Sequence, residues 1–390
     1  MVTAFVDMVG LLMLLPQLPF LTRALGGSDL MVGLLVSSFS VAQLLSAPMW
    51  GKFSDRYGRR PALLVGLAAS AIAYVVFAFA GSIWMLFLSR IVQGAGGGTT
   101  GVIQAYVADA TAPEQRARSL GWLSAATNLG VTIGPALGSF SLVWGRPAPG
   151  LIAAGLCLIN MLFAYTYLTE SHDLRARAAG RKAGTSSRQA VWRVLTRGAE
   201  PAPRLIWIYA IAMGAFMGMN AVLALFLADT FGVNERTIGF FFAYIGAISV
   251  VTRAGVLGWM VDHFGEARLS RIGCVLLAMG LATIPLSRTY WMLAIAVALV
   301  PLGTAFTFPC VTALLSRVIL QQERGLYMGV QQTFGGIARV IGPIGATLAY
   351  GSLGHGVPFW MSAALVIGTI FLGLGMEGYT KAKSVEPAAG

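Results

Sequence analysis

Four charged side chains lie well inside long apolar stretches of this sequence, and they are the residues best placed to do chemistry there. Asp7 is acidic, whereas Arg90, Arg253 and Arg339 are basic. A carboxylate inside a membrane span costs about 2.5–3.5 kcal/mol on insertion scales, so it is by default a candidate functional residue. We therefore predict that Asp7 takes up and releases protons. Because Asp7 lies near the start of the chain, a second interpretation stays open, in which its carboxylate only reaches the membrane surface.

The three arginines outnumber the single carboxylate of this set. Unpaired cations in a low dielectric are costly, so each guanidinium needs a partner. An anionic or zwitterionic substrate would supply one, which makes Arg253 and Arg339 candidate substrate-binding residues, together with the nearby Gln332. The rival interpretation is that these arginines bond to backbone carbonyls or to glutamine side chains, or that they reach the interface.

Uncharged polar and aromatic side chains near the middle of the stretches complete the candidate binding site. The rings would form an apolar wall, although aromatic residues of membrane helices more often face lipid or a neighbouring helix. The candidates are Gln93, Asn128, Asn220, Phe241 and Tyr244.

The composition shows what kind of protein must position these residues. Of 390 residues, 57% are hydrophobic and 11% are charged, and the mean hydropathy is +0.75. A soluble domain has about 25% charged residues, so these values indicate a polytopic membrane protein. A helix needs about 20 apolar residues to cross the hydrocarbon core, and twelve stretches qualify. These predicted spans 1 to 12 are 2–22, 30–51, 61–80, 83–106, 117–142, 149–168, 204–228, 236–260, 269–287, 290–315, 325–351 and 356–378.

The positions of the basic residues predict the topology. The net charge is +12, and of the 27 Lys and Arg residues 20 fall in loops on one face, four on the other and three inside spans. This asymmetry marks the basic face as cytoplasmic and argues against nucleic acid as the reason for the charge. An even number of spans places both termini on that face. The basic segment 169–203 also lies there, and we expect it to be flexible or to form a short surface helix.

Landmarks that recur about two hundred residues apart indicate an internal repeat. Asp55 and Gly58 recur as Asp262 and Gly265, and Gly134-Pro135 recurs as Gly342-Pro343. We predict an all-α membrane protein of two six-helix bundles related by a pseudo-twofold axis along the membrane normal, with the transport path between them. The expected parts are an N-terminal bundle (1–168), a cytoplasmic linker (169–203), a C-terminal bundle (204–380) and a cytoplasmic tail (381–390).

The run from Trp50 to Pro61 resembles the loop between the second and third helices of the major facilitator superfamily, whose pattern is roughly G-x-x-x-D-R-x-G-R-R. The resemblance implies the major facilitator fold. It also implies that Gly51, Asp55, Gly58 and Arg59, with Asp109 at the end of span 4, form a cytoplasmic gate that must break when the protein opens inward. The alternative is a plain charged loop that only sets the topology.

Other spans resemble those of drug:proton antiporters in this family. Arg90-Ile-Val-Gln-Gly94 matches the pattern R-x-x-Q-G, whose arginine faces the cavity and is linked to proton transfer. Span 5 carries Gly130, Gly134-Pro135 and Gly138, the antiporter pattern G-x-x-x-G-P-x-x-G, in which the glycines let another helix approach closely. Asp7-x-x-Gly10 with Pro16 and Pro19 resembles the first helix of tetracycline-efflux-type exporters.

The sequence departs from tetracycline exporters in span 3, which has Ala73 near the place of their acidic residue. This argues against a metal-chelated tetracycline as substrate, because a hard cation prefers oxygen ligands. No metal or hydrolytic constellation is evident, the nucleotide-binding pattern G-x-x-x-x-G-K-[ST] does not occur, and the three cysteines fall in apolar spans. We therefore predict no enzyme activity, no metal and no cofactor.

Together the residues and the resemblance predict a proton-coupled efflux antiporter of small amphipathic molecules such as drugs, working by alternating access in a bacterial inner membrane. Its expected partners are a small-molecule substrate, protons and the lipid bilayer, without nucleic acid, and we expect a monomer. One alternative is an exporter of an endogenous anionic metabolite or lipid, which the three arginines favour. Another is a membrane sensor or scaffold that transports nothing.

Overall fold

The computed structural model describes residues 1–112, 115–168, 170, 187–320 and 323–376, and all regular structure within them is helical. Much of the expected linker and all of the expected tail at 381–390 lie outside the described residues. The α-helices are α1 (Val2–Leu14), α2 (Leu18–Ala24), α3 (Asp29–Tyr57), α4 (Arg59–Ala78), α5 (Ile83–Gly97), α6 (Thr100–Asp109), α7 (Arg116–Ser141), α8 (Ala148–Tyr167), α9 (Ser187–Thr196), α10 (Pro201–Phe231), α11 (Ile238–Val251), α12 (Leu257–Thr283), α13 (Tyr290–Val318), α14 (Arg324–Leu353) and α15 (Val357–Leu372).

Long apolar helices dominate this fold. Among the described residues, seven helical stretches are long and apolar enough to cross a membrane by length and composition alone, and α15 is a shorter apolar helix. Span 1 is divided into α1 and α2 by a 3-10 turn that contains Pro16, since a proline removes a hydrogen bond from the helix. Span 4, predicted as one helix, is divided into α5 and α6. The division follows the glycine run 96–98, because glycine disfavours helix. The linker was expected either to be flexible or to form a short surface helix, and its described part contains the short helix α9.

Two single-glycine breaks lie at the landmarks of the repeat. The segment expected as a loop around Gly58 is helical on both sides, and only Gly58, with a φ of 104°, separates α3 from α4. Gly265 interrupts α12 in the same way with a φ of 73°. Glycine adopts such angles without steric cost. Ser82 and Thr289 are separated along the chain by the same number of residues as Gly58 and Gly265. Their side chains cap the N-termini of α5 and α13.

Two compact units make up the chain. Unit 1 comprises Met1–Gly180 and Leu223–Val250, and unit 2 comprises Arg181–Val222 and Val251–Gly390. The division at residue 222 falls within α10. The domain boundaries expected from the sequence stay a prediction.

The glycines of the span 5 pattern bring α7 against α1 in unit 1. A Cβ atom on Gly130 would lie 2.7 Å from the carbonyl oxygen of Phe5, and one on Gly134 would lie 2.8 Å from that of Val9. Gly138 approaches the α1 backbone more closely still. The two backbones therefore pack at a distance that a side chain at any of these positions would prevent.

Candidate functional site

A buried polar cluster in unit 1 surrounds Arg90 on α5. Arg90 is 2% exposed, its guanidinium carbon lies 4.6 Å from the centre of the Phe39 ring, and it donates a short hydrogen bond to Gln93. Arg90 Nε and Gln93 Nε2 have no hydrogen-bond partner among the described residues. Buried donors without partners are costly, so this cluster has the capacity to bind a further polar group.

Asp7 and Tyr74 extend this cluster toward α1. Asp7 is half-buried on α1, and Tyr74, on α4, is 2% exposed. The Tyr74 hydroxyl lies within interaction range of Asp7, Gln93 and Arg90. Asp7 and Arg90 form no ion pair with each other in the part of the chain that the structure describes. Tyr74 is therefore a side chain that approaches both the acidic and the basic group.

Sequence reasoning missed Tyr74, although it pointed to the residue before it. Ala73 is fully buried, and its carbonyl oxygen accepts a hydrogen bond of 2.7 Å from the Ser89 hydroxyl, so it packs against α5. Tyr74 reaches α1 because of Gly10, where a Cβ atom would lie 3.2 Å from the tyrosine ring and hydroxyl. The available signal was the glycine that follows Asp7 within one helical turn.

The residues expected at the gate come together around Arg59. Arg59 is 5% exposed, and its guanidinium binds Asp55 at 3.0 Å and Asp109 at 3.2 Å. It also donates a hydrogen bond of 2.5 Å to the Ser54 hydroxyl. We call Asp55, Arg59 and Asp109 the Arg59 cluster. It joins the end of α3, the start of α4 and the end of α6.

A further carboxylate, which sequence reasoning missed, lies at the N-terminus of α4. Glu170 accepts hydrogen bonds from the backbone N–H groups of Arg59 at 2.8 Å and Arg60 at 3.1 Å, where the helix dipole favours a negative charge. It lies so close to Gly58 that a side chain there would overlap it. Gly51, in contrast, has open space around it.

A second charged cluster, also absent from the predicted site, lies at the C-terminal end of α2. Arg23 binds both carboxylate oxygens of Asp229 on α10, at 2.6 and 2.9 Å, and binds Asp29 on α3 at 2.9 Å. Bidentate arginine–carboxylate pairs are among the stronger charged hydrogen bonds. We call these residues the Arg23 cluster. It joins three helices of unit 1.

The span 5 motif also contacts α11 within unit 1. The Ser139 hydroxyl donates to the Glu235 carbonyl oxygen at 3.0 Å and accepts from the Gly239 N–H at 2.9 Å. A Cβ atom on Gly239 would overlap the carbonyl oxygen of Pro135. This face of α7 and the start of α11 are therefore in backbone contact.

Unit 2 places Arg253 on a π-turn, Thr252–Val256, between α11 and α12. Such turns are rare and are often found at functional sites. Arg253 is partly buried, its Nε has no hydrogen-bond partner among the described residues, and Tyr209 on α10 lies within electrostatic range. This arginine is able to bind an additional acceptor.

The other predicted binding residues bond locally. Arg339 donates a long hydrogen bond of 3.4 Å to Gln332 on its own helix. Asn128 and Asn220 each donate to a backbone carbonyl one turn earlier, at 2.8 Å. The aromatic candidates of α11 differ in exposure, with Phe241 half-buried and Tyr244 41% exposed.

Comparisons with known proteins agree on one family. The sequence model described as Major Facilitator Superfamily matches residues 1–343 and 254–389. The chain is 28% identical over 374 residues to the class B tetracycline resistance protein of Escherichia coli, covering 95% of this chain and 92% of that protein. It is 30% identical over 371 residues to the class C protein of Escherichia coli, covering 94% and 93%. The crystal structure of the human organic anion transporter MFSD10 (TETRAN) matches with a TM-score of 0.71 and 25% identity, covering 95% of this chain and 97% of that chain.

Proposed function

The chain belongs to the Major Facilitator Superfamily, and from this premise we propose that it is a proton-coupled exporter of small amphipathic molecules that works by alternating access. The observation that supports the proposal most is the position of Asp7. Apart from Glu377 at the very end of span 12, it is the one acidic residue inside the predicted spans. It lies beside Tyr74 in a polar cluster whose donors are not all satisfied. A carboxylate in such a place can hold a proton and exchange it.

In this mechanism Asp7 takes a proton from the outside and releases it to the cytoplasm, while substrate moves the other way. Arg90 keeps a positive charge in the same cluster, and Tyr74 lies within interaction range of both Asp7 and Arg90. Protonation changes the net charge of the cluster by one, so proton and substrate compete for the same polar groups. The names of the tetracycline resistance relatives support export as the direction.

Two ion-pair clusters are candidates for the gates. The Arg59 cluster lies at the face with most basic residues, which we take as cytoplasmic, and it would stabilise the state that is closed there. The Arg23 cluster lies at the C-terminal end of span 1, which the predicted topology places on the outer face. It would stabilise the state that is closed to the outside. The carboxylates of both clusters are partly exposed. Breaking an ion pair therefore does not leave a carboxylate charge deep in lipid.

The test of this proposal is Asp7→Asn in proteoliposomes under an imposed pH gradient. We expect proton-driven transport to be lost while substrate binding stays close to wild type, because the amide keeps the shape of the carboxylate but binds no proton. The exposed Asp262→Asn is the matched control and should transport normally. Proton-driven transport by Asp7→Asn at the wild-type rate would rule out the coupling role.

A second candidate function is export of an organic anion, and Arg253 is the observation that favours it. Its guanidinium has an unused donor on a π-turn, and the human relative of known structure is named as an organic anion transporter. Transport of the cation ethidium and the anion carboxyfluorescein, measured side by side, separates the two. A strong preference for the cation would exclude the anion exporter.

A further inference from the structure

The amphipathic helix α9 packs on unit 2 by one face and leaves its charges on another. Ala190 and Val194 are fully buried. The Trp207 indole of α10 donates to the Val194 carbonyl oxygen at 3.1 Å, and Arg193 donates to the Tyr327 hydroxyl of α14 at 3.2 Å. A helix with this division of apolar and basic side chains is typical of the membrane interface.

The exposed side of α9 borders a basic cavity of about 570 Å³. Arg188, Arg193 and Arg197 line it together with Trp192. Glu200 binds Arg193 at 2.5 Å and Arg197 at 3.3 Å. Three guanidinium groups against one carboxylate leave two net positive charges, so the cavity suits an anion.

A second cavity, an apolar groove of about 500 Å³, begins on the same helix. Val191 and Leu195 of α9 form one end, and α10, α14 and α15 supply the walls. The α14 residues that line it run from Thr333 to Ala346, about 20 Å at 1.5 Å per residue. One leaflet of the hydrocarbon core is about 15 Å thick, so the groove has the length of an acyl chain.

The groove exists because α10 and α14 meet through glycines. Gly342 lies in backbone contact with Gly214, so the two helices touch at this level. Gly345 also lines the groove, and a Cβ atom there would meet nothing within 4 Å. The open volume therefore lies directly beside the crossing point.

We propose that the groove and the basic cavity together bind one phospholipid with an anionic headgroup. An acyl chain would occupy the groove between α10, α14 and α15, and the phosphate would lie against Arg188 and Arg197. The charge of the cavity selects an anionic over a zwitterionic headgroup. Because α9 contributes to both cavities, a bound lipid would hold it against unit 2. The site is independent of the export proposal and is tested without a transport measurement.

The experiment measures binding of phosphatidylglycerol and phosphatidylcholine to the full-length protein in detergent by native mass spectrometry. We expect tighter binding of phosphatidylglycerol, by about fivefold for each net positive charge of the cavity, because phosphatidylcholine has the same phosphate but adds a quaternary ammonium that the cavity repels. The double variant Arg188→Gln, Arg197→Gln should lose this preference. Arg116→Gln, Arg118→Gln, an exposed pair at the start of α7, is the matched control and should keep it.

A second arm tests the groove. Gly345→Leu should weaken binding of both lipids severalfold, because its side chain fills the groove, whereas Gly351→Leu, equally open on the same helix, should not. Soluble glycerol phosphate should bind far more weakly than phosphatidylglycerol. Equal binding of the two lipids by wild type, an unchanged preference in the arginine variant, or unchanged binding in Gly345→Leu would each overturn the proposal.

Discussion

Arg59 and Arg90 are both almost fully buried in unit 1, yet their charges are satisfied in different ways. Arg59 meets the carboxylates of Asp55 and Asp109, whereas Arg90 meets an aromatic face and the amide of Gln93. A paired charge holds structure together, and a buried charge without a counter-ion costs stability. We therefore propose gating as the role of Arg59, and a response to protons or substrate as the role of Arg90.

Tyr74→Phe removes one hydroxyl from the cluster around Arg90 and so tests the role proposed for that cluster. We expect transport to fall about tenfold, because a polar group within range of Asp7, Gln93 and Arg90 is removed and the buried donors lose a neighbour. The pH dependence of transport should change as well. Tyr350→Phe, a fully buried tyrosine of α14 that stacks on His355, is the control and should leave the pH profile as it is. An unchanged rate and profile in Tyr74→Phe would remove this residue from the mechanism.

Two of the residue pairs that the sequence singled out lie in short motifs. Asp55 and Arg59 are four residues apart in one pattern, and Arg90 and Gln93 are three apart in another, so spacing alone brought each pair together. Tyr74 was missed because its contacts come from α1 and α5. Position along the chain gives no measure of contacts between separate helices.

At the scale of elements, the contact between α7 and α1 depends on the absence of side chains. Gly134→Ala would place a methyl group 2.8 Å from the Val9 carbonyl oxygen. We expect a loss of about 1–3 kcal/mol, which is usual for overpacking, seen as a lower unfolding temperature in detergent. Gly155→Ala on α8 has open space and should be neutral or stabilising by up to about 1 kcal/mol. Equal unfolding temperatures for the two variants would contradict this packing.

The Arg23 cluster joins helix ends, and Arg23→Gln should loosen them. Removing the guanidinium leaves Asp29 and Asp229 without their shared cation. We expect a cysteine at Ser139, buried between α7 and α11, to react severalfold faster with a membrane-impermeant maleimide added from outside. Arg288→Gln, an exposed arginine, is the control on the same background. Identical labelling rates in the two variants would argue that the cluster plays no part in closing the outer side.

Helix ends were harder to predict than helices. Apolar runs of the length of a bilayer marked the spans, but the segment around Gly58 was expected to be a loop because it is charged and rich in glycine. It is helical up to a single residue, since Arg59 at the start of α4 donates hydrogen bonds to Ser54, Asp55 and Glu170. The 3-10 turn at Pro16 follows from the proline, and the π-turn at Arg253 is a local change of helix geometry that hydropathy does not describe.

For the whole molecule, the repeat was the feature that the sequence predicted best. Single glycines with positive φ occur at both Gly58 and Gly265, and polar N-caps occur at both Ser82 and Thr289. The chemistry is less symmetric than the backbone. Asp7 has no acidic counterpart at the matching place in the second half of the chain, and Arg253 lies on a turn that interrupts its helix. One half thus offers a carboxylate inside a span, and the other a cation with an unused donor.

In the antiport that we propose, substrate and protons move in opposite directions through one protein. The most direct measurement is proton movement in proteoliposomes that start without a pH gradient, after one member of a panel of amphipathic cations and anions is added on one side. We predict that a transported member entering the vesicles drives protons out, and that Asp7→Asn shows no such movement. Proton movement in the same direction as substrate, or no proton movement with any member of the panel, would rule out antiport.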